Sequence, residues 1–238
     1  MKALILAAGL GSRLNLDIPK PMFTIEGKPI LEHNILLLKK HGIKDICITI
    51  HFRKEVIKNY FQDGKKWGVN IQYSYEEELL GTCGALRIVD WFLNNDPFLV
   101  IYGDNYTNIN LTEMLSFHNK YKEIATIALF DPNKSLNSGI AGGVISLDND
   151  FNITSFIEGR GNKDKTGYVN AGIYVLERKI TDFLLEKVPS DFGKDLFPYL
   201  LEKKNKLKGY ITDSFVLAID TIDALKTSEE ALKQGRIK

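Results

Sequence analysis

Gly9-Leu10-Gly11-Ser12-Arg13 is the densest group of chemically useful residues in this chain, and Lys20 follows seven positions later between Pro19 and Pro21. Two glycines around one residue let a backbone turn tightly and bring its N–H groups close to a ligand. Arg13 adds a guanidinium that can grip two phosphate oxygens, and Lys20 adds an ammonium point charge. The run leading in, Leu4-Ile5-Leu6, reads as a short buried parallel strand, with Ala7 and Ala8 bridging to the turn. Strand, glycine turn and two cations together point to a polyphosphate. The spacing is not that of a Walker loop, which needs Gly-Lys-Ser/Thr. Nor is it a dinucleotide fingerprint, because Arg13 and Leu14 stand where a third glycine belongs.

Three further stretches could join that loop. In Glu76-Glu77-Glu78-Leu79-Leu80-Gly81-Thr82-Cys83-Gly84-Ala85, the glycines Gly81 and Gly84 let a flat ligand lie against the backbone. The same residues also read as a solvated acidic loop ahead of a helix, with Thr82 as its N-cap. Tyr102-Gly103-Asp104-Asn105 ends an apolar run. A carboxylate there either caps a turn or holds a hard divalent cation against phosphate oxygens. Asp220, in Ala218-Ile219-Asp220-Thr221, either favours a helix start or serves as a second such ligand. The histidines His33, His41, His51 and His118 form no ligand pattern, and no Ser-His-Asp or Cys-His arrangement can be drawn.

The elements that must position these residues alternate. Strands are expected at 46–50, 69–75 and 98–102. Helices are expected at 29–41, 53–61 and 82–93. This is an α/β pattern with a largely parallel sheet and right-handed crossovers, in which ligands bind outside the carboxyl ends of the strands. The second half reads differently. A helix at 110–121 and a strand at 124–130 precede three strands at 139–146, 153–157 and 168–176, with a turn at Asp148-Asn149-Asp150. That sequence of elements predicts an antiparallel extension of the sheet. Helices near 180–187 and 195–204, a strand at 215–219 and an amphipathic helix over 221–234 complete the chain.

Composition narrows the function classes. Lys and Arg number 31 against 30 Asp and Glu, a net charge of +1, which gives no support to nucleic-acid or membrane-surface binding. The chain is 44% hydrophobic, enough for a substantial core, yet no run approaches a membrane span and the N-terminus is no signal peptide. Cys47 and Cys83 sit in apolar surroundings and read as reduced core thiols of a cytoplasmic protein.

Leu6-Ala7-Ala8-Gly9-x-Gly11-Ser12-Arg13-Leu14 followed by Pro19-Lys20-Pro21-Met22 resembles the signature of the sugar-1-phosphate nucleotidyltransferases, also called NDP-sugar pyrophosphorylases. The spacing between Arg13 and Lys20 is shorter than the family usually shows. The resemblance continues in order through Gly81-Thr82-Cys83-Gly84-Ala85, Gly103-Asp104 and Asn170-Ala171-Gly172-Ile173-Tyr174. It implies a single Rossmann-like nucleotide-diphospho-sugar transferase domain over 1–238, with a mixed, mostly parallel sheet flanked by helices. Residues 1–122 would be mainly the nucleotide half and 123–238 mainly the sugar-phosphate half, with no C-terminal β-helix.

The implied reaction joins a nucleoside triphosphate and a sugar 1-phosphate, giving an NDP-sugar and pyrophosphate. Arg13, Lys20 and Asp104 would be catalytic. Leu6, Ala7, Ala8, Gly9, Gly11, Ser12, Glu78, Gly81, Thr82 and Gly103 would hold the nucleotide. Mg²⁺ would sit on Asp104 and Asp220. The sugar phosphate would meet Gly143, Glu158 and Asn170. Gly159 occupies the place of the lysine in the family's Phe-x-Glu-Lys-Pro, so Arg160 is expected to substitute, with Lys163 and Lys165 behind it. The Gly-Thr-x-Gly-Ala form resembles the mannose-1-phosphate and manno-heptose-1-phosphate guanylyltransferase branch. A cytidylyltransferase acting on phosphocholine shares the first loop, and a catalytically weak nucleotide-sugar-binding regulatory subunit would suit the shortened loop. No nucleic-acid or membrane partner is expected, and a homo-oligomer is compatible with the resemblance.

Overall fold

Alternate residues of strand β1 (Lys2–Leu6) face two different cores, Ala3 and Ile5 on one side and Leu4 on the other. Burial on both faces is why the run lacks polar alternation. The structure is a computed structural model. It describes residues 1–10, 17–137, 144–158, 167–218, 230 and 234.

After β1 a 3₁₀ turn (Lys20–Met22) leads to a small hairpin, β2 (Thr24–Ile25) and β3 (Lys28–Pro29), and then to α1 (Ile30–Lys40). β4 (Asp45–Ile50), α2 (Lys54–Phe61) and β5 (Asn70–Tyr75) follow. Next come β6 (Phe98–Tyr102), the short β7 (Asn105–Thr107), α3 (Leu111–Tyr121) and β8 (Ala125–Phe130). The second half adds β9 (Val144–Leu147), β10 (Ile153–Ile157), β11 (Tyr168–Leu176), α4 (Phe197–Glu202), β12 (Leu207–Ile211) and β13 (Val216–Ala218).

One mixed sheet runs β10-β9-β11-β6-β1-β4-β5, with β8 also pairing β11 and β12. β6, β1, β4 and β5 pair in parallel, and β11 joins β6 antiparallel. The expected antiparallel extension is therefore present, and it begins directly beside the central strands. β12 was not anticipated from the sequence. β13 pairs β7 in a separate two-stranded sheet instead of joining the main one. The helix expected over 221–234 lies outside the described residues, apart from 230 and 234.

Regular helices cover one face of the sheet, where Leu31, Ile35 and Leu38 of α1, Ile57 and Phe61 of α2, and Met114 of α3 are buried. The other face is packed by Leu86, Val89, Phe92, Phe192, Leu196 and Phe197, largely from irregular turns. Here the helices expected at 82–93, 180–187 and 195–204 shrink. They become a 3₁₀ turn at Gly84–Ile88, another at Arg178–Phe183, and a π turn at Phe192–Leu196 that runs into α4. Thr82 does not cap a helix; its hydroxyl is committed to residues 191 and 192. Tertiary contacts override helix periodicity here. Asn110, in contrast, caps α3 as its type predicts, accepting from Glu113 N. Asp148 closes its turn by accepting from Asp150 N and Asn152 N at 2.9 and 2.8 Å.

His118 of α3 is fully buried. Its Nε2 donates to Glu177 Oε1 at 3.2 Å, so Nδ1 accepts from the Thr126 hydroxyl at 2.9 Å. Burial lowers the imidazole pKa, and the Glu177 carboxylate only partly opposes it. The folded state thus binds this proton more weakly than the unfolded chain does. Stability is present above the ordinary histidine pKa of about 6.5 and is lost as pH falls through the lower folded value. Urea midpoints should drop more between pH 7.5 and pH 5.5 in the wild type than in His118→Gln, which cannot protonate. Equal drops in the two proteins would contradict this.

Candidate active site

The carboxyl ends of three parallel strands meet in register, Leu6 lying beside Thr49 on one side and Tyr102 on the other. The chain stays bonded past these ends: Ala7 N donates to Thr49 O at 3.1 Å, and Gly103 N to Leu6 O at 2.9 Å. A Cβ at Gly103 would sit 2.9 Å from Leu6 O, so this glycine is what lets the two strand exits lie side by side. At Gly9 an added Cβ would meet nothing within 4 Å. Among the described residues, that leaves room for a ligand to approach the backbone closely. Asn34, buried on α1, donates to Gly103 O at 3.3 Å. It was missed in the sequence, although a polar residue among Ile30, Leu31, Ile35 and Leu38 was the available signal.

Asp104 follows Gly103, and Lys20 Nζ lies 3.6 Å from its Oδ2. Their side chains are 25% and 15% exposed, so both are held yet remain reachable. Pro19 fixes the approach to the 3₁₀ turn, and Pro21 and Met22 are buried beneath it, which anchors Lys20 from both sides. Residues 84 apart in sequence are thereby brought together. Gly11, Ser12, Arg13, Gly143, Arg160, Lys163, Lys165 and Asp220 lie outside the described residues.

Beyond β5 the chain forms a second wall. Glu76 is buried, and its Oε2 accepts from Leu80 N at 3.0 Å. Burial raises its carboxyl pKa, while the Leu80 N–H and the Thr49 hydroxyl pull it back. Thr49 Oγ1 also accepts weakly from Ala7 N at 3.4 Å. Of the acidic run, Glu78 is exposed and available to a ligand, whereas Glu76 is structural. Glu78 is thus placed where the resemblance expects a nucleotide contact, whereas nothing in the sequence of the triplet marks Glu76 as the buried member.

Gly81 and Thr82 are turned toward residues 190–192. Gly81 has φ +79°, and an added Cβ would sit 2.4 Å from Ser190 O. Thr82 N and Oγ1 both donate to Asp191 Oδ1 at 3.1 Å, and Phe192 N donates to Thr82 Oγ1 at 2.9 Å. Cys83 N and Gly84 N share Ser190 O. Cys47 and Cys83 are both free and buried, with thiols pushed up by burial to about 12 and about 11. They are inert core groups.

The third wall is β11. Asn170 Nδ2 donates to Tyr174 Oη at 2.8 Å, and its Oδ1 accepts from Gly172 N at 2.9 Å. The amide is held in one orientation and retains one N–H and one lone pair. The strand register shifts between Asn170 and Tyr174, and Gly172 takes φ +69°; a Cβ there would strike Asn105 Nδ2 at 2.7 Å. Asn105 Nδ2 in turn donates to Ala171 O at 2.8 Å. One bond therefore joins the residue after Asp104 to the residue after Asn170. The rings of Tyr102 and Tyr174 meet edge to face with centroids 5.8 Å apart, and burial lifts both phenols above their ordinary values. The Glu158 carboxylate is close enough to add to that rise in each. Among the described residues, three walls thus converge: Lys20 with Asp104, Glu78 to Thr82, and Asn170 with Glu158. A cationic loop, an acid at a strand end and a hydroxyl-matching cluster can hold phosphates beside a polyol. No histidine side chain in the described residues joins them; His51 Nδ1 instead bonds Glu76 O at 2.7 Å.

Known proteins resemble this chain over most of its length. The chain is 36% identical over 223 residues to a D-glycero-alpha-D-manno-heptose 1-phosphate guanylyltransferase of Campylobacter jejuni, covering 92% of this chain and 94% of that one. It is 34% identical to a UTP--glucose-1-phosphate uridylyltransferase of Synechocystis and 33% identical to a mannose-1-phosphate guanyltransferase of Yarrowia lipolytica. Those two alignments cover 85% and 90% of this chain but only 55% and 60% of the relatives, so the chain spans little more than half their length. Among solved structures, HddC from Yersinia pseudotuberculosis, complexed with GMP-PN, aligns with a TM-score of 0.78 at 26% identity, over 96% of this chain and 98% of that one. The nucleotidyl transferase family pattern matches residues 2–231, nearly the whole chain, and the chain belongs to that family.

Proposed function

We propose that the chain transfers a guanylyl group from GTP to mannose 1-phosphate or a manno-heptose 1-phosphate, releasing pyrophosphate. The observation that carries this reading is the Asn105–Ala171 bond, which sets the Lys20–Asp104 pair against the Asn170 wall. Donor phosphates and acceptor sugar would then share one cleft. The guanine and manno assignments rest on Gly81-Thr82-Cys83-Gly84-Ala85 and on the full-length similarity to the Campylobacter jejuni relative. A cytoplasmic setting is supported by the free, buried thiols.

An oxygen of the sugar phosphate forms the new bond to the α-phosphorus, and the bond from that phosphorus to the bridging oxygen breaks, with the electron pair leaving on pyrophosphate. A phosphate monoester has a second pKa near 6 and is mostly dianionic at neutral pH, so no strong general base is needed. Catalysis is positioning plus charge neutralisation. Lys20 neutralises charge at the α-phosphate, Arg13 and the loop N–H groups hold the pyrophosphate, and Asn170 and Glu158 orient the sugar. Arg160 takes its phosphate. Asp104 is a hard oxygen donor at a strand end, which suits Mg²⁺ with Asp220 as second ligand. When bound, the ion supplies Lewis-acid charge neutralisation to the phosphates.

The test is a matrix of five nucleoside triphosphates against several sugar 1-phosphates and phosphocholine, reading pyrophosphate release. GTP with a manno-configured sugar phosphate is expected to give the highest kcat/KM. Preference for UTP with glucose 1-phosphate, as in the name of the Synechocystis relative, would keep the reaction and reject the branch. Preference for CTP with phosphocholine would reject the reading. Tight nucleotide-sugar binding without turnover would make the chain a sensor.

A further inference from the structure

We propose that Gly193 is a positioning residue for the acceptor: its missing side chain is the space in which the Glu158 carboxylate sits. The inference rests on Glu158 being a sugar ligand, as proposed above.

Gly193 is buried in the π turn Phe192–Leu196. It has no positive φ, so the backbone does not require glycine there. Space does. A Cβ at this position would lie 2.6 Å from Glu158 Oε2 and 2.9 Å from its Cδ, with Phe156 Cε1 next at 3.2 Å. The two closest atoms belong to the movable end of a side chain, so the fold can accept the extra carbon by shifting the carboxylate. Local insertions of this π type often mark functional positions. The turn itself is firmly tied. Asp191 holds Thr82 and donates its own N–H to Asp195 Oδ2 at 2.8 Å, and Asp195 Oδ1 accepts from Lys187 Nζ at 2.8 Å. Gly193 therefore presents a fixed floor, and Glu158 is the part that yields.

What the carboxylate faces gives the floor its consequence. Tyr102 and Tyr174 are buried phenols whose pKa values burial raises, with the nearby Glu158 charge adding to the rise. Asn170 is locked to Tyr174. A polyol placed here would donate hydroxyl protons to the carboxylate and accept from the remaining Asn170 N–H. Such pairs tolerate little displacement, since a shift of about 1 Å can cost on the order of a hundredfold in rate.

Gly193→Ala tests this with KM measured separately for the two substrates and with the thermal midpoint. The expected result is a rise of about tenfold in KM for the sugar phosphate, in line with one disturbed charge-assisted hydrogen bond. KM for the nucleotide should stay within about twofold and the midpoint should be unchanged. Combining Gly193→Ala with Glu158→Asp, which is one methylene shorter, should recover part of the loss. Should Gly193→Ala fail to fold, Glu158→Asp alone moves the carboxylate and should give the same sugar-selective defect. Unchanged kinetics in Gly193→Ala, or both KM values rising together with a falling midpoint, would overturn the role of Gly193. Glu158→Gln separates the two levels: a normal sugar KM there removes the reading of Glu158 itself. An impaired Glu158→Gln beside a normal Gly193→Ala removes only this inference.

Discussion

Asp104→Asn is expected to lower kcat by at least about a hundredfold, the scale of losing one strong electrostatic stabiliser of a charged transition state. Asparagine keeps the size of the side chain and its place after Gly103 and removes only the negative charge. A triphosphate and a sugar phosphate bring several negative charges into one cleft, and their repulsion grows as water is excluded. Lys20, 3.6 Å from Asp104, cannot offset that alone. If Asp104 holds a divalent ion, the substitution removes two positive charges from the reacting phosphates along with one negative charge from the protein. The thermal midpoint should move far less than kcat, because asparagine keeps the shape of the side chain and the contact with Lys20 is a long one at 3.6 Å. Chelator should abolish turnover, and Mg²⁺ should restore it in the wild type but not in Asp104→Asn. A wild-type rate in the variant, or full activity in excess chelator, would end the metal mechanism. The same substitution at Asp220 distinguishes a two-carboxylate site from a one-carboxylate site.

Gly81→Ala should damage both nucleotide binding and stability, for reasons a single methyl group rarely supplies. The backbone at Gly81 is left-handed, with φ +79°, which costs an alanine about 1–2 kcal/mol. The new Cβ would also stand 2.4 Å from Ser190 O and 2.7 Å from Ser190 N. Neither atom can give way easily. Ser190 N donates to Leu80 O at 2.9 Å, and Ser190 O takes the N–H groups of Cys83 and Gly84 at 3.0 and 3.1 Å. Moving either one undoes the docking that sets Thr82 against Asp191. The nucleotide KM is expected to rise at least about tenfold. The midpoint should fall by several degrees, at roughly 2–4 °C per kcal/mol for a chain of this size. Gly9→Ala is the control for stability, since its Cβ meets nothing among the described residues and its midpoint should be unchanged. A Gly81→Ala protein with normal KM and midpoint would show that the contact with Ser190 is not what holds this wall.

Much of this was legible because it is local. An uninterrupted apolar run such as Leu4-Ile5-Leu6 has to be buried on both faces, so β1 and its parallel neighbours followed from hydrophobicity alone. Asp148 closed the expected turn because its side chain bonds backbone within a few residues. Gly103-Asp104 and Pro19-Lys20-Pro21 were recognisable as chemistry because their residue types carry it wherever they stand.

What the sequence could not settle depends on contacts between distant segments. Thr82 looks like a helix cap from its neighbours, yet its hydroxyl serves Asp191 and Phe192, more than a hundred positions away, and the expected helix contracts to a 3₁₀ turn. Glu76 and Glu78 are the same residue type two positions apart, and only the fold buries the first against Leu80 N and exposes the second. β12 escaped notice because a parallel partner such as β8 leaves no local turn signal to announce it. The α/β class, the glycine turn after β1 and the residue types at each wall follow from side-chain chemistry and short-range periodicity. The tertiary structure alone decided that Lys20 lies 3.6 Å from Asp104, that Asn105 bonds Ala171, and that Gly193 leaves room for Glu158, because each depends on the packing of segments that the chain keeps far apart.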